Sequence, residues 1–213
     1  MISPRLSREN IVAVAIEMAD EEGLFSVTLR GIAARLAVHV TSLYNYVPTK
    51  EAVVEEMTGA LLAEARLPAG HLGWQDWVRQ FAAGMRELGR KHPGAFEAFH
   101  YGPAKGEQAA VPFESGFAAF RRGGFDAPST YSAVKATVVA VLGHVLEDTV
   151  PARNRKVART NVSQLPIERF PNVHAINRVA GKTDTFGYLV ETLIAGFAVA
   201  KKSGSRRKAV SKS

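Results

Sequence analysis

The sequence predicts an all-α protein, because apolar residues recur at helical spacing along most of its 213 residues. The apolar positions within 29–36 follow the i, i+3, i+4, i+7 pattern of one helix face. The valines within 134–145 are spaced four, three and four residues apart, which is also a helical stripe. Segments with proline and glycine, such as 67–73 and 92–94, separate these patterns and predict the connections.

Two helices and a turn are predicted at the N-terminal end. The first helix begins after Ser7, a good N-cap, and stops at Gly23, which suits the position after a helix. The second helix carries the stripe within 29–36, and residues 37–39 form the turn that follows it.

The third helix, predicted at Val40–Tyr46, has an unusual composition. Leu43 is its inward-facing residue, whereas most neighbouring positions carry hydroxyl, amide, imidazole or phenol groups. Such a helix suits recognition in the major groove of DNA, where base edges offer donors, acceptors and methyl groups. A hairpin that only fills a core would not concentrate these polar groups on one short helix. Pro48 ends the third helix, and a fourth is predicted at Lys50–Arg66.

The remainder of the chain is predicted to form a helical bundle. A long loop without periodicity is expected at 151–171, and a disordered basic tail at 201–213. The predicted helices are Trp74–Lys91, 94–101, Ala109–Arg122, Asp126–Val150, Asn172–Val179 and Asp184–Lys201.

Composition and spacing exclude several classes of function. The chain has no cysteine, and therefore neither disulfides nor thiolate metal sites. Its histidines lack the spacing of metal ligands, and it has no phosphate-binding glycine loop or serine nucleophile elbow. No uncharged 18-residue run could span a membrane. We therefore expect a cytoplasmic protein that is not an enzyme and has no metal or cofactor.

Residues 7–66 resemble the TetR/AcrR family of bacterial transcriptional regulators. The segments that carry the resemblance are Ser7–Gly23, Val27–Arg30, Ile32-Ala33, Arg35-Leu36, Leu43-Tyr44 and Lys50-Glu51. Two positions depart from the family pattern. Ala37 stands where glycine is usual in the turn, a place that tends to require positive φ, and Asn45 stands where an aromatic residue is common.

The resemblance implies a DNA-binding domain followed by an all-helical domain similar to the tetracycline-repressor-like branch. We divide the chain into a helix-turn-helix DNA-binding domain at 1–50, a connecting helix at 51–66, and an effector-binding and dimerisation domain at 67–200. The expected function is that of a ligand-responsive repressor, which binds a palindromic operator on double-stranded DNA as a homodimer. The alternatives are a regulator without a small-molecule effector, and a helical binding protein or enzyme with a vestigial DNA module.

The resemblance also assigns the DNA contacts. Side chains near helix ends are the candidates for phosphate contacts, namely Thr28, Arg30, Tyr44, Tyr46 and Lys50. Residues on the third helix or directly before it are the candidates for base edges, namely His39, Val40, Thr41 and Asn45.

Aromatic residues of the C-terminal part predict a cavity for a small apolar or aromatic effector, with packing in the core as the alternative for each. The candidate lining residues are Phe81, Met85, Phe96, Phe99, His100, Phe113, Phe117, Phe120, Tyr131 and His144.

The resemblance implies that two apolar stripes pair with their counterparts in a four-helix dimer interface, although they could instead form the domain core. These residues are Val134, Val138, Val141, Val145, Phe186, Leu189, Leu193 and Phe197.

Overall fold

The computed structural model describes residues 6–101, 107–149, 162, 164–180 and 182–210. These residues form helices and turns and contain no strand, so the predicted all-α class is confirmed. The chain separates into two compact units, residues 1–146 and 147–213.

The first helix of the first unit, α1, spans Arg8–Glu22. As predicted, the Ser7 hydroxyl oxygen caps it by accepting a hydrogen bond from the Asn10 backbone N–H at 3.2 Å. The helix stops at Gly23, whose φ of 89° is accessible to glycine and strained for other residues.

Helices α2 and α3 form the predicted helix-turn-helix. Helix α2 spans Leu29–Arg35, and α3 spans Val40–Leu43. Between them Ala37 has a φ of 53°, which confirms that this turn position requires positive φ. Helix α3 is shorter than predicted: residues 44–46 form a turn, in which the backbone N–H groups of Tyr46 and Val47 both donate to the Leu43 carbonyl.

Helix α4, Lys50–Glu64, begins after the N-cap Thr49, whose hydroxyl oxygen accepts from the Ala52 backbone N–H at 3.2 Å. Helix α5 spans Trp74–Lys91. A short helix α6, Ala98–Tyr101, follows a 3-10 turn at Ala95–Glu97.

Helix α7 spans Glu107–Arg122, and helix α8 spans Ala127–Thr149 and belongs to the first unit as far as Leu146. Helix α7 packs on α5, where the Trp77 indole N–H donates to the Ser115 hydroxyl at 3.0 Å. Helix α8 is long and apolar enough to cross a membrane by length and composition alone. That is weak support for a membrane span, because a core helix of a soluble protein meets the same test.

The second unit contains helix α9, Pro171–Asn177, and helix α10, Thr185–Val210. The predicted loop at 151–171 falls mostly outside the described residues. The expected end of the last helix at Lys201 is wrong, because α10 continues to Val210 through part of the segment predicted to be disordered. The basic residues in this segment are compatible with a helix, since lysine and arginine are good helix formers.

Candidate DNA-binding surface and effector cavity

Helix α3 is held by a single buried side chain. Leu43 is 0% exposed, and Val47 just after the helix is almost as deeply buried. The base-edge candidates His39, Thr41 and Asn45 are exposed, and Val40 is half-buried. The structure therefore presents one polar face of α3 to solvent, where a DNA groove could reach it.

Two of the phosphate candidates lie at the start of α2. The Thr28 hydroxyl oxygen accepts from the Gly31 backbone N–H at 3.0 Å, and its own proton remains available for a phosphate oxygen. Arg30 is exposed and makes no ion pair within the described residues. Near the end of the turn after α3, Tyr44 is 54% exposed and Tyr46 is half-buried.

Lys50 occupies the first position of α4, but its amino group is already engaged. The Nζ atom donates to the backbone carbonyls of Leu24 and Phe25, at 3.4 Å each. These bonds are long, and a phosphate oxygen offers a charged acceptor in their place. Lys50 must share or leave these carbonyls to contact DNA.

Not every basic side chain near the helix-turn-helix is available to DNA. Arg35 at the end of α2 is paired with Glu21 at 2.6 Å and with Glu22 at 3.1 Å. The hydrogen bond with Glu21 is the main cause of a raised pKa of the Arg35 guanidinium. The carboxylates of α1 therefore neutralise this cation, whereas Arg30 stays unpaired among the described residues.

A cavity of about 320 Å³ lies within the first unit, between the helices from α4 to α8. Five of the predicted effector residues line it, namely Phe81, Met85, Phe99, His100 and Phe113. The lining residues that sequence reasoning missed are Leu62, Ala109, Pro112, Lys135, Val138, Val139 and Leu142. Four of these residues lie on one face of α8 at helical spacing, namely Lys135, Val138, Val139 and Leu142. This spacing is the sequence signal that could have identified them.

The other predicted effector residues do not line this cavity. Phe96 and Phe120 are 0% exposed and belong to the core, where the Phe120 ring lies against those of Trp74 and Phe125. Tyr131 is instead 61% exposed on the surface.

Phe117 and His144 are half-buried and lie outside the lining. An aromatic residue next to a helical core can face the core or the cavity, and composition does not distinguish these two positions.

The predicted dimer stripe on α8 is wrong at three positions. Val134, Val141 and Val145 are 0–1% exposed in the single chain, so they cannot contact a second copy. Val145 lies against Gly89 of α5, where an added Cβ would come within 2.3 Å of the valine methyl group. The fourth valine, Val138, lines the cavity.

On α10, Phe186 is also buried, whereas the other stripe residues are half-buried, namely Leu189, Leu193 and Phe197. Within the described residues, no three histidine or acidic side chains are grouped as metal ligands.

Two family models match the chain. The model for bacterial regulatory proteins of the tetR family covers residues 11–57, and the model for the tetracyclin repressor-like C-terminal domain covers residues 67–201. The chain belongs to the tetR family. Its C-terminal part is of the tetracycline-repressor-like type that the sequence predicted.

Individual relatives agree with this family. A transcriptional regulator of the helix-turn-helix type from Saccharopolyspora erythraea is 32% identical over 69% of this chain, and the match spans 63% of that relative. The class D tetracycline repressor of Escherichia coli is 28% identical, over 92% of this chain and 90% of the repressor.

A solved structure shares the fold. ActR from Streptomyces coelicolor, in complex with (S)-DNPA, has a TM-score of 0.78 with 22% identity, over 92% of this chain and 99% of that one.

Proposed function

We propose that the protein is a ligand-responsive transcriptional repressor, which acts in the cytoplasm and binds a palindromic operator as a homodimer. The observation that carries the proposal is the solvent-facing polar surface of α3, anchored by the buried Leu43 in a chain of the tetR family. Relatives named as tetracycline repressors match nearly the whole chain, which supports the repressor assignment.

The DNA contacts divide by chemistry. Thr28, Arg30 and Lys50 carry hydroxyl or cationic donors at helix starts, and they contact phosphates without reading sequence. His39 and Asn45 are exposed on or next to α3 and read base edges. The Asn45 amide can pair with adenine through two hydrogen bonds.

The effector occupies the cavity between α4 and α8. The volume of about 320 Å³ is at the lower end of the range for small-molecule sites, and the walls are mostly apolar. Its ligand is therefore a compact, largely apolar or aromatic molecule. The protein has one conformation that binds the operator and one that does not. To release DNA, this molecule must have the higher affinity for the second conformation.

Dimerisation uses helix faces that the single chain leaves exposed. On α8 the exposed face carries small residues, among them Ala136 and Gly143, and nothing lies within 4 Å of a Cβ added at Gly143. On α10 an exposed stripe includes Tyr188, Ala195 and Val199. Small side chains allow the helices of two copies to approach closely, and two recognition helices double the contacts on a palindrome.

A selection of bound sequences from random duplex DNA tests the proposal. We expect enrichment of a palindrome whose half-sites lie about one to one and a half helical turns apart. A footprint on the selected duplex should cover both half-sites at once. Failure to enrich any sequence, or equal affinity for one isolated half-site, would contradict the proposal.

Two substitutions then test the division of contacts. Lys50→Ala should weaken binding to all sequences and reduce the salt dependence by about one phosphate contact per protomer. Asn45→Ala should change the preferred base at one position of each half-site. Lys182→Ala is the control, because Lys182 is exposed and lies far along the chain from α3. Loss of base preference in Lys50→Ala alone would reverse the assignment.

A further inference from the structure

The effector cavity has an uneven distribution of charge. Ten of its described lining residues are apolar, and the other two of them are His100 and Lys135. No aspartate or glutamate is among the lining residues that the structure describes. Among the described lining residues, Lys135 is therefore the single lysine, arginine, aspartate or glutamate, and the wall around it is mostly apolar.

Lys135 projects from the α8 face that lines the cavity. It lies one turn before Val138 and Val139 and two turns before Leu142, which all line the same cavity. Lys135 and His100 are both exposed, so they lie where the cavity meets solvent. Within the described residues Lys135 makes no ion pair or hydrogen bond that would neutralise its ammonium group.

We infer that Lys135 is a specificity residue, which selects an effector carrying an anionic group on an aromatic or apolar body. The inference rests on the proposed function, because it places the ligand in the same cavity. The apolar body is buried among Phe81, Met85 and Phe113, and its anionic group stays at the mouth beside the ammonium. A carboxylate, phenolate or sulfonate there forms a charge-assisted hydrogen bond without entering the apolar interior.

The positive charge of Lys135 also disfavours cationic ligands. A cationic aromatic molecule in this cavity would meet the ammonium group of Lys135, and the described part of the lining has no carboxylate to offset it. Like charges at close range raise the free energy of binding, and this repulsion adds to specificity. A neutral ligand gains the apolar contacts alone.

Two fluorescent probes with the same rings separate charge from shape. Anilinonaphthalene sulfonate carries an anionic group, whereas phenylnaphthylamine is neutral. Lys135→Gln should weaken the sulfonate probe about threefold to tenfold, as expected for one partly exposed charge-assisted contact. It should leave the neutral probe within about twofold, because the apolar walls are intact. The difference should shrink as salt is added.

Two further variants make the result specific to the cavity. Lys182→Gln removes an exposed lysine elsewhere and should change neither probe. Phe113→Trp enlarges a side chain of the wall and should weaken both probes, which locates them in the cavity. A thermal melt of each variant, compared with wild type, shows that the fold is retained.

The outcomes separate this inference from the proposed function. Suppose that Lys135→Gln binds the sulfonate probe as tightly as wild type does, while Phe113→Trp binds both probes more weakly. The cavity is then confirmed as the binding site, and the role of Lys135 is overturned. If neither probe binds wild type, or Phe113→Trp changes neither, the effector cavity itself is overturned together with this inference. Selective loss of the sulfonate in Lys135→Gln supports both.

Discussion

The carboxylate of Asp20 joins the end of α1 to the turn that follows α5, and we expect its removal to be costly. One of its oxygens accepts hydrogen bonds from the backbone N–H groups of Gly94 and Ala95, at 3.1 and 2.9 Å. The other lies 2.6 Å from Nδ1 of His92. Three groups from a segment more than 70 residues away therefore depend on this one side chain.

These contacts determine how much free energy of unfolding is lost when the Asp20 carboxylate is removed. The Asp20 side chain is 22% exposed, so water replaces the carboxylate only in part. A hydrogen bond to a charged acceptor contributes about 1.5–3 kcal/mol net, and bonds that share one acceptor group do not add fully. We therefore expect Asp20→Ala to lower the free energy of unfolding by about 2–4 kcal/mol.

Equilibrium denaturation at one fixed protein concentration measures this loss, with Glu21→Ala as the matched control. Glu21 is the next residue of the same helix end, and it pairs with Arg35 at 2.6 Å while its side chain is 59% exposed. An exposed pair of this kind contributes about 1 kcal/mol or less. If Asp20→Ala costs no more than Glu21→Ala, the carboxylate does not hold the turn and the reasoning is refuted.

Three further outcomes follow from other contacts. The hydrogen bond from Lys91 lowers the pKa of Glu64 below its ordinary 4.5, so the ionised carboxylate stabilises the fold above that pH. This contribution is lost as the carboxylate is protonated at lower pH. Between about pH 5 and 3, the free energy of unfolding should therefore fall less steeply in Glu64→Gln than in wild type. Gly116→Ala should cost about 1–3 kcal/mol in a denaturant titration, because its Cβ would lie 2.6 Å from the buried Trp77 ring. Gly143→Arg should leave the protomer folded, because nothing lies within 4 Å of a Cβ added at Gly143, but it should shift the sedimentation coefficient towards that of the monomer. An unchanged dimer would exclude this face of α8 from the dimer interface.

The helices near the N-terminus could be predicted because their signals are local. A cap such as Ser7 or Thr49 bonds to a backbone group three residues later, so a short stretch of sequence contains both partners. For the same reason, the polar composition around Leu43 was enough to identify the exposed face of α3.

The partners of an apolar stripe could not be predicted in this way. The spacing of Val134, Val141 and Val145 correctly marks one face of α8 as buried, but a core and a dimer interface require the same pattern. The neighbouring face with Lys135 and Val138 lines the cavity, and only the packing of the surrounding helices reveals this. Long-range polar contacts such as that of Asp20 leave no periodic signal either.

The cavity and the proposed DNA surface are connected through the short helix α6. Phe99 and His100 line the cavity, and the next residue, Tyr101, lies edge-on against the ring of Phe25 at 6.0 Å. The Phe25 carbonyl in turn accepts from Lys50, the proposed phosphate contact. A ligand changes the affinity for DNA only by as much as its own affinity differs between two conformations of the protein. The ligand must therefore contact an element whose position differs between these conformations. Helix α6 lies at such a position. We expect a shift there to reach Lys50 through these two contacts, while α3 keeps its own buried anchor, Leu43.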